Sequence, residues 1–189
     1  MGKLILASGS PRRQELLRRM GLTDFVVAPA DVAEGYPDGL TPEEIVAYIS
    51  REKNDAVAAA ADDIVITADT MVFLDNQKLG KPHSEAHALE MLTALQGRHH
   101  TVCTGVTVRR GDKRDTRAVT TEVYFRPASE ERLRRYIATG EPMDKAGAYG
   151  IQGLGGLLVE KIHGDFFNVM GLPIATLADM LAGFGVQIL

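Results

Sequence analysis

The chain has 189 residues, 45% of them hydrophobic and 24% charged, enough apolar material for one core held as a single domain or as two lobes that share it. Its net charge of −4 excludes a general nucleic-acid binder, which needs a strongly positive face, but leaves room for a local basic cluster facing a small anion. Cys103 is the only cysteine, which excludes an internal disulfide and a cysteine-based metal framework. No signal-peptide pattern opens the chain and no apolar run could span a bilayer, so a soluble cytoplasmic protein with no membrane partner is expected.

In chain order, residues 3–7 predict a short buried strand, Ser8-Gly9-Ser10 a tight polar loop, and Pro11 the start of a helix that stops at Gly21. Ser10 suits the N-cap, because its hydroxyl can accept from a free amide of the first turn, and Pro11 suits the first helical position, where no donor is needed. Arg12 and Arg13 fit less well, since a helix N-terminus already carries partial positive charge. Two readings stand. Free amides, hydroxyls and two guanidinium groups form a phosphate site, or both arginines lie in solvent or pair with carboxylates such as Glu15.

Residues 25–27 read as a second short strand, and residues 31–39, which include Glu34, as a loop. Thr41-Pro42-Glu43-Glu44 has capping-box spacing and predicts a helix running to about residue 61. Ile45, Val46, Ile49, Ala56 and Val57 form its apolar stripe, and Lys53 falls in the middle of it. A buried unpaired ammonium is costly, so Lys53 either snorkels along the core edge or enters a cleft and meets an anion.

Residues 64–68 predict a buried strand, and Asp69-Thr70 separates it from a second apolar run at 71–74. A solvated acid has no use in such a position. Asp75-Asn76 reads as a turn, Gly80-Lys81-Pro82 as a rigid loop, and Ser84 as the cap of a helix that ends at Gly97. His99-His100 reads as a solvated turn, because sequence neighbours make poor co-ligands, and Cys103 reads as core packing. Residues 101–108 and 117–125 flank Arg110-Gly111-Asp112 as an antiparallel pair, and a helix from 130 to about 139 closes at Gly140. The five glycines within residues 144–156 mean unusual backbone angles or a close approach of backbone to a ligand. Residues 157–162 and 166–170 read as a hairpin, Gly171-Leu172-Pro173 leads into a last helix, and residues 186–188 read as a final strand. There is no internal repeat and no linker.

A P-loop, a dinucleotide fingerprint and a nucleophile elbow are all absent. What remains suits phosphoanhydride cleavage. Arg12, Arg13, Lys53 and Lys81 are candidate phosphate contacts, while Asp69 and Glu34 are candidate metal ligands or bases. Carboxylates beside phosphates suit Mg²⁺ or Mn²⁺ over a soft metal.

Six motifs then stand in a shared order: Ser8-Gly9-Ser10-Pro11-Arg12-Arg13, Arg51-Glu52-Lys53, Ala68-Asp69-Thr70, Gly80-Lys81-Pro82, the run Asp144-Lys145-Ala146-Gly147-Ala148-Tyr149-Gly150-Ile151-Gln152-Gly153, and Gly171-Leu172-Pro173. In these the chain resembles, over essentially its whole length, the Maf family of nucleoside triphosphate pyrophosphatases, and it reads as one such domain over residues 1–189. The resemblance implies an α/β fold with an elongated mixed sheet and flanking helices, two lobes around a cleft, similar to inosine triphosphate pyrophosphatases. It implies hydrolysis of a nucleoside triphosphate to the monophosphate and pyrophosphate with a divalent metal, and a homodimer. It further implies that Asp69 is the general base, that Ser8, Arg13, Lys53 and Lys81 contact phosphates, and that Glu34 joins Asp69 at the metal. Arg12, Thr70 and Gln152 match the dTTP/UTP branch, whereas the 7-methyl-GTP branch has tryptophan, glutamine and glutamate at these positions. A neutral amide at Gln152 can both donate to and accept from the O4/N3 edge of uracil or thymine. The rival readings are a 7-methyl-GTP pyrophosphatase and a nucleotide-binding septum regulator.

Overall fold

In the computed structural model, which describes every residue except Met1, Asp31 and Glu34, the chain begins with β1 (Leu4–Leu6). This strand pairs in parallel with β2 (Val26–Val27) and with β3 (Ile64–Leu74). The first crossover carries α1 (Pro11–Arg19), and the chain from β2 to β3 carries α2 (Pro42–Asp55). Asp75 and Asn76, with φ of 50° and 63°, turn β3 back into the antiparallel β4 (Gln77–Leu79). Positive φ at both central residues gives a turn whose twist matches its strands, and Asp and Asn tolerate it. Then follow α3 (Glu85–Leu95), β5 (His99–Arg110), β6 (Lys113–Phe125) and α4 (Glu130–Ile137). Three 3₁₀ turns, at Glu141–Asp144, Ala146–Ala148 and Leu154–Leu158, occupy the glycine-rich stretch. The chain ends with β7 (Val159–His163), which is antiparallel to β6, then α5 (Phe166–Met170) and α6 (Ile174–Ala182). The strand order β2-β1-β3-β5-β6-β7, with β4 on β3, makes a seven-stranded mixed sheet with helices along it, the expected α/β architecture.

The chain forms two compact units. The first comprises Met1–Thr70, Thr104–Val119 and Gly171–Leu189, and the second Met71–Cys103 and Thr120–Met170. In the first, Ile5, Ala7 and Val65 pack against Ala28, Ala30, Val57 and Ala59. The second has a larger apolar cluster, which includes Val72, Leu92, Leu95, Val102, Phe125, Leu133 and Tyr149.

Several elements depart from the sequence expectation. The helix expected to reach about residue 61 ends at Asp55, because side chains elsewhere satisfy its terminal groups. Arg109 donates to Asn54 Oδ1 at 2.8 Å, to the Asn54 carbonyl at 3.1 Å and to the Val57 carbonyl at 2.8 Å. Ala56 is consequently exposed, and Val57 packs beside β1. β3 runs unbroken for 11 residues through Asp69 and Thr70. Residues 166–170 are helical, because Asp165 Oδ1 accepts from the Phe167 amide at 2.8 Å and buried Asn168 donates to the Val102 carbonyl at 3.0 Å and to Thr121 Oγ1 at 2.9 Å. Residues 186–188 form no strand; the Val186 amide instead closes the end of α6 on the Leu181 carbonyl at 3.0 Å. His99 and His100 lie in β5, not in a turn, and Cys103 is buried as expected.

One contact sets the height of α2 over the sheet. A Cβ at Gly105 would stand 2.2 Å from the Val46 carbonyl oxygen, so β5 passes directly beneath the helix only because that residue has no side chain.

His100 is 2% exposed; its Nε2 meets the Tyr149 hydroxyl at 2.7 Å and its ring stands edge-on to Phe125 and Tyr149. Burial, followed by the neighbouring His99, pushes its pKa down from 6.5 to about 3. The folded chain therefore refuses a proton that the unfolded chain takes up below 6.5, and stability falls as pH drops through that window, by about 1.4 kcal/mol per pH unit. Urea denaturation between about pH 6 and pH 5 should show this slope reduced by one proton in His100→Gln.

Candidate active site

At the start of α1 the sequence signals act as read. Ser10 is the N-cap and accepts from the Arg13 amide, and Pro11 takes the first helical position. The Arg13 side chain turns back from the helix into a set of oxygens. Its Nε donates to the Gly171 carbonyl at 2.8 Å, and its two terminal nitrogens donate to Ser8 Oγ at 3.2 Å and Thr70 Oγ1 at 3.0 Å. Ser8, only 8% exposed, also accepts from the Ser10 amide at 3.3 Å. A hydroxyl that accepts twice keeps its single hydrogen for a further acceptor. Thr70 Oγ1 stands 2.9 Å from Thr104 Oγ1 and 3.3 Å from the Gly171 carbonyl. Its hydroxyl is thus committed to holding the guanidinium.

Consecutive strand residues point to opposite faces, and β3 uses both. Thr70 meets α1 through Arg13, while Thr67 and Asp69 meet α2. Thr67 Oγ1 donates to the Ser50 carbonyl at 2.7 Å, and Lys53 Nζ donates to Asp69 Oδ1 at 2.7 Å. The side chains of this pair are 15% and 7% exposed. The lysine in the apolar stripe therefore meets an anion, and that anion is the acid of the buried strand. Sequence inspection isolated both residues without pairing them. One α-helical turn separates Ile49 from Lys53, and that spacing carries the ammonium to the strand.

The structure therefore gathers Ser8, Arg13 and Thr70 into one group and Lys53 with Asp69 into another, joined through the adjacent residues of β3. Arg12 is half-buried at the second position of α1. Lys81 and Gln152 are exposed residues of the second unit, and Glu34 lies outside the described residues. Sequence reasoning gave no role to Thr104 or to the Gly171 carbonyl. Thr104 sits unmarked in an apolar run, and a carbonyl anchor leaves no signature of residue type.

A hard divalent cation fits this donor set in one way. Asp69 Oδ2 is buried with no hydrogen-bond partner among the described residues, which leaves one oxygen for a ligand. Among the described residues no three His, Cys, Asp or Glu side chains cluster. The Asp69 oxygen suits an ion held by one or two carboxylates and shared with substrate phosphates, as Mg²⁺ is. Hydroxyls, a fixed guanidinium and a buried ammonium–carboxylate pair are the groups needed to bind a polyphosphate and move a proton.

Residues 3–184 match the family model described as Maf-like protein, and the chain belongs to that family. It is 50% identical over 184 residues to a dTTP/UTP pyrophosphatase of Exiguobacterium sibiricum, covering 97% of this chain and 93% of that one. A protein of the same name from Bacillus velezensis is 48% identical, covering 98% of each chain, and one from Neisseria gonorrhoeae is 42% identical, covering 99% of this chain and 96% of that one. A solved HAM1 protein from Coxiella burnetii superposes with a TM-score of 0.42 at 15% identity over 66% of this chain and 73% of that one. That likeness is partial, and the α/β assignment rests on the sheet itself.

Removing one partner of a buried ion pair leaves an uncompensated charge, so Lys53→Met should destabilise the protein by about 3 kcal/mol. Lys53→Met combined with Asp69→Asn should recover most of that loss in urea denaturation, because no lone charge remains.

Proposed function

We propose that the protein hydrolyses dTTP and UTP to the nucleoside monophosphate and pyrophosphate, and so clears these nucleotides from the cytoplasmic pool. The observation that carries this reading is the buried Lys53–Asp69 pair, set one residue from the Thr70–Arg13 contact. The shared name of relatives 42–50% identical over nearly their full length supports the substrate.

In this reading Asp69 Oδ2 takes a proton from the water that attacks the α-phosphorus, while Lys53 on Oδ1 fixes the carboxylate's orientation. Pyrophosphate leaves against the positive charge of Arg13, Lys53 and Lys81, with Ser8 donating its hydroxyl hydrogen. Asp69 and Glu34 would hold Mg²⁺ or Mn²⁺, which when bound supplies positive charge to the phosphate oxygens. Gln152 reads the base through its amide, Arg12 assists, and Thr70 contributes by holding Arg13. A glutamate in place of Gln152 would favour a positively charged or donor-rich base, so this chain prefers pyrimidines over 7-methyl-GTP. The active species is a homodimer.

A panel of dTTP, UTP, CTP and 7-methyl-GTP, assayed with Mg²⁺ and with Mn²⁺, should rank dTTP and UTP first; preference for 7-methyl-GTP refutes the base reading. In ¹⁸O-labelled water the label should appear in the monophosphate, and label in pyrophosphate would exclude attack at the α-phosphorus. Asp69→Asn should lower kcat by about 10²-fold or more with the fold intact by circular dichroism.

A further inference from the structure

Two backbone hydrogen bonds turn the segment that carries Gln152, from the Gly153 amide to the Gly150 carbonyl at 3.2 Å and from the Gly156 amide to the Gly153 carbonyl at 3.1 Å. Residues 150–156 include Gly150, Gly153, Gly155 and Gly156, and a run so rich in glycine has many conformations open to it. Its backbone is restrained from outside by two side chains. Glu141 Oε2 accepts from the Leu154 amide at 2.9 Å, and Oε1 accepts from the Gly155 amide at 3.0 Å and from the Tyr136 hydroxyl at 2.8 Å. The same Tyr136 hydroxyl accepts from the Gly150 amide at 3.0 Å. Amides on both sides of Gln152 thus converge on one carboxylate–phenol pair.

The glycines make room for this clamp. A Cβ at Gly153 would lie 2.4 Å from Glu141 Oε2, so the carboxylate packs against the bare backbone beside Gln152. The clamp is itself anchored. Tyr136 is a buried residue of α4, only 6% exposed, and Lys145 Nζ donates to the Glu141 carbonyl at 3.1 Å. Burial pushes the Glu141 carboxyl up, but the Gly155 amide, the Tyr136 hydroxyl, the Leu154 amide and Lys145 outweigh it and hold its pKa below the ordinary value. Three donors from the protein occupy the carboxylate, so its bonds go to the loop backbone and to α4.

We propose that Glu141, acting with Tyr136, is a positioning residue for base selection: it fixes the turn that presents the Gln152 amide. This rests on the reading of Gln152 as the group that meets the base. An amide distinguishes the O4/N3 edge of a pyrimidine only from a defined position, and a loop free to shift would blunt the distinction. In Glu141→Gln one acceptor oxygen becomes an NH₂ group that faces an amide which also donates, so the clamp loses at least one of its three bonds and gains a donor–donor clash with little change in side-chain volume.

The test compares the wild type with Glu141→Gln, Tyr136→Phe and Gln152→Ala, each alone, and with Glu141→Gln in the Gln152→Ala background. Steady-state kinetics with UTP, dTTP and CTP are measured together with inhibition by pyrophosphate, which has no base. Glu141→Gln should raise KM for UTP and dTTP about tenfold and narrow their preference over CTP, while inhibition by pyrophosphate changes less than about twofold. Tyr136→Phe should move KM in the same direction, and it carries the test if Glu141→Gln does not fold. In the Gln152→Ala background Glu141→Gln should add nothing further to KM. An equal loss of pyrophosphate binding, or a further rise in KM in that background, overturns the proposal. If Gln152→Ala leaves the base preference untouched, the reading of Gln152 fails; if Gln152→Ala shifts it and neither clamp variant does, only the role of Glu141 falls.

Discussion

A carboxylate in the middle of a sheet strand must be compensated where it stands. Asp69 is 5% exposed, and Lys53 is the compensating charge. Much of the first unit follows from delivering that lysine. α2 must lie close over the sheet, and the bare backbone of Gly105 permits it. Its register is fixed by polar groups where an apolar helix face would ordinarily continue. Ser50 bonds Thr107 through its hydroxyl and Thr67 through its carbonyl, and Asn54 donates to the Val65 carbonyl at 3.2 Å and to the Thr107 carbonyl at 3.3 Å. Side-chain hydrogen bonds of this kind specify one alignment, whereas apolar contacts alone tolerate sliding. Arg109 then closes the end of the helix, so α2 has one height, one rotation and one end point.

What the sequence showed depended on whether the cause was local. The Ser10 cap, the Thr41 capping box and the Asp75-Asn76 turn are short-range effects of residue type, and all three stand where they were read. Lys53 and Asp69 were visible as anomalies of pattern, charges at positions that periodicity assigns to the interior. Long-range partners were not visible. Nothing near residue 55 announces that Arg109 will take the carbonyls of Asn54 and Val57 and end the helix. Residues 166–170 carry the apolar character of a strand, and buried Asn168 turns them helical through Thr121 and the Val102 carbonyl. His99-His100 reads as a solvated turn because adjacent histidines make poor co-ligands, yet Tyr149 and Phe125 enclose His100.

The same division runs through the candidate site. Residues that carry their chemistry in their own side chains, such as Arg13, Lys53 and Asp69, were legible. Residues that work by holding others were not. Thr104 and Glu141 have no distinguishing local context, Gly171 stands in a motif that says nothing of its carbonyl, and each acts on a group many positions away in the chain.

The three-way anchoring of Arg13 has one more consequence. An exposed arginine loses roughly 2 kcal/mol of rotamer entropy when it is immobilised. Here the Gly171 carbonyl, Ser8 and Thr70 immobilise the side chain during folding, each from a different direction. In the proposed function an arriving polyanion would find this guanidinium already in place and would not bear that cost itself, so part of the affinity would be stored in the stability of the fold. A lysine would keep the charge but would bring a compact ammonium on a flexible stem in place of the rigid planar fork, so at this position the cation's shape counts as well as its sign.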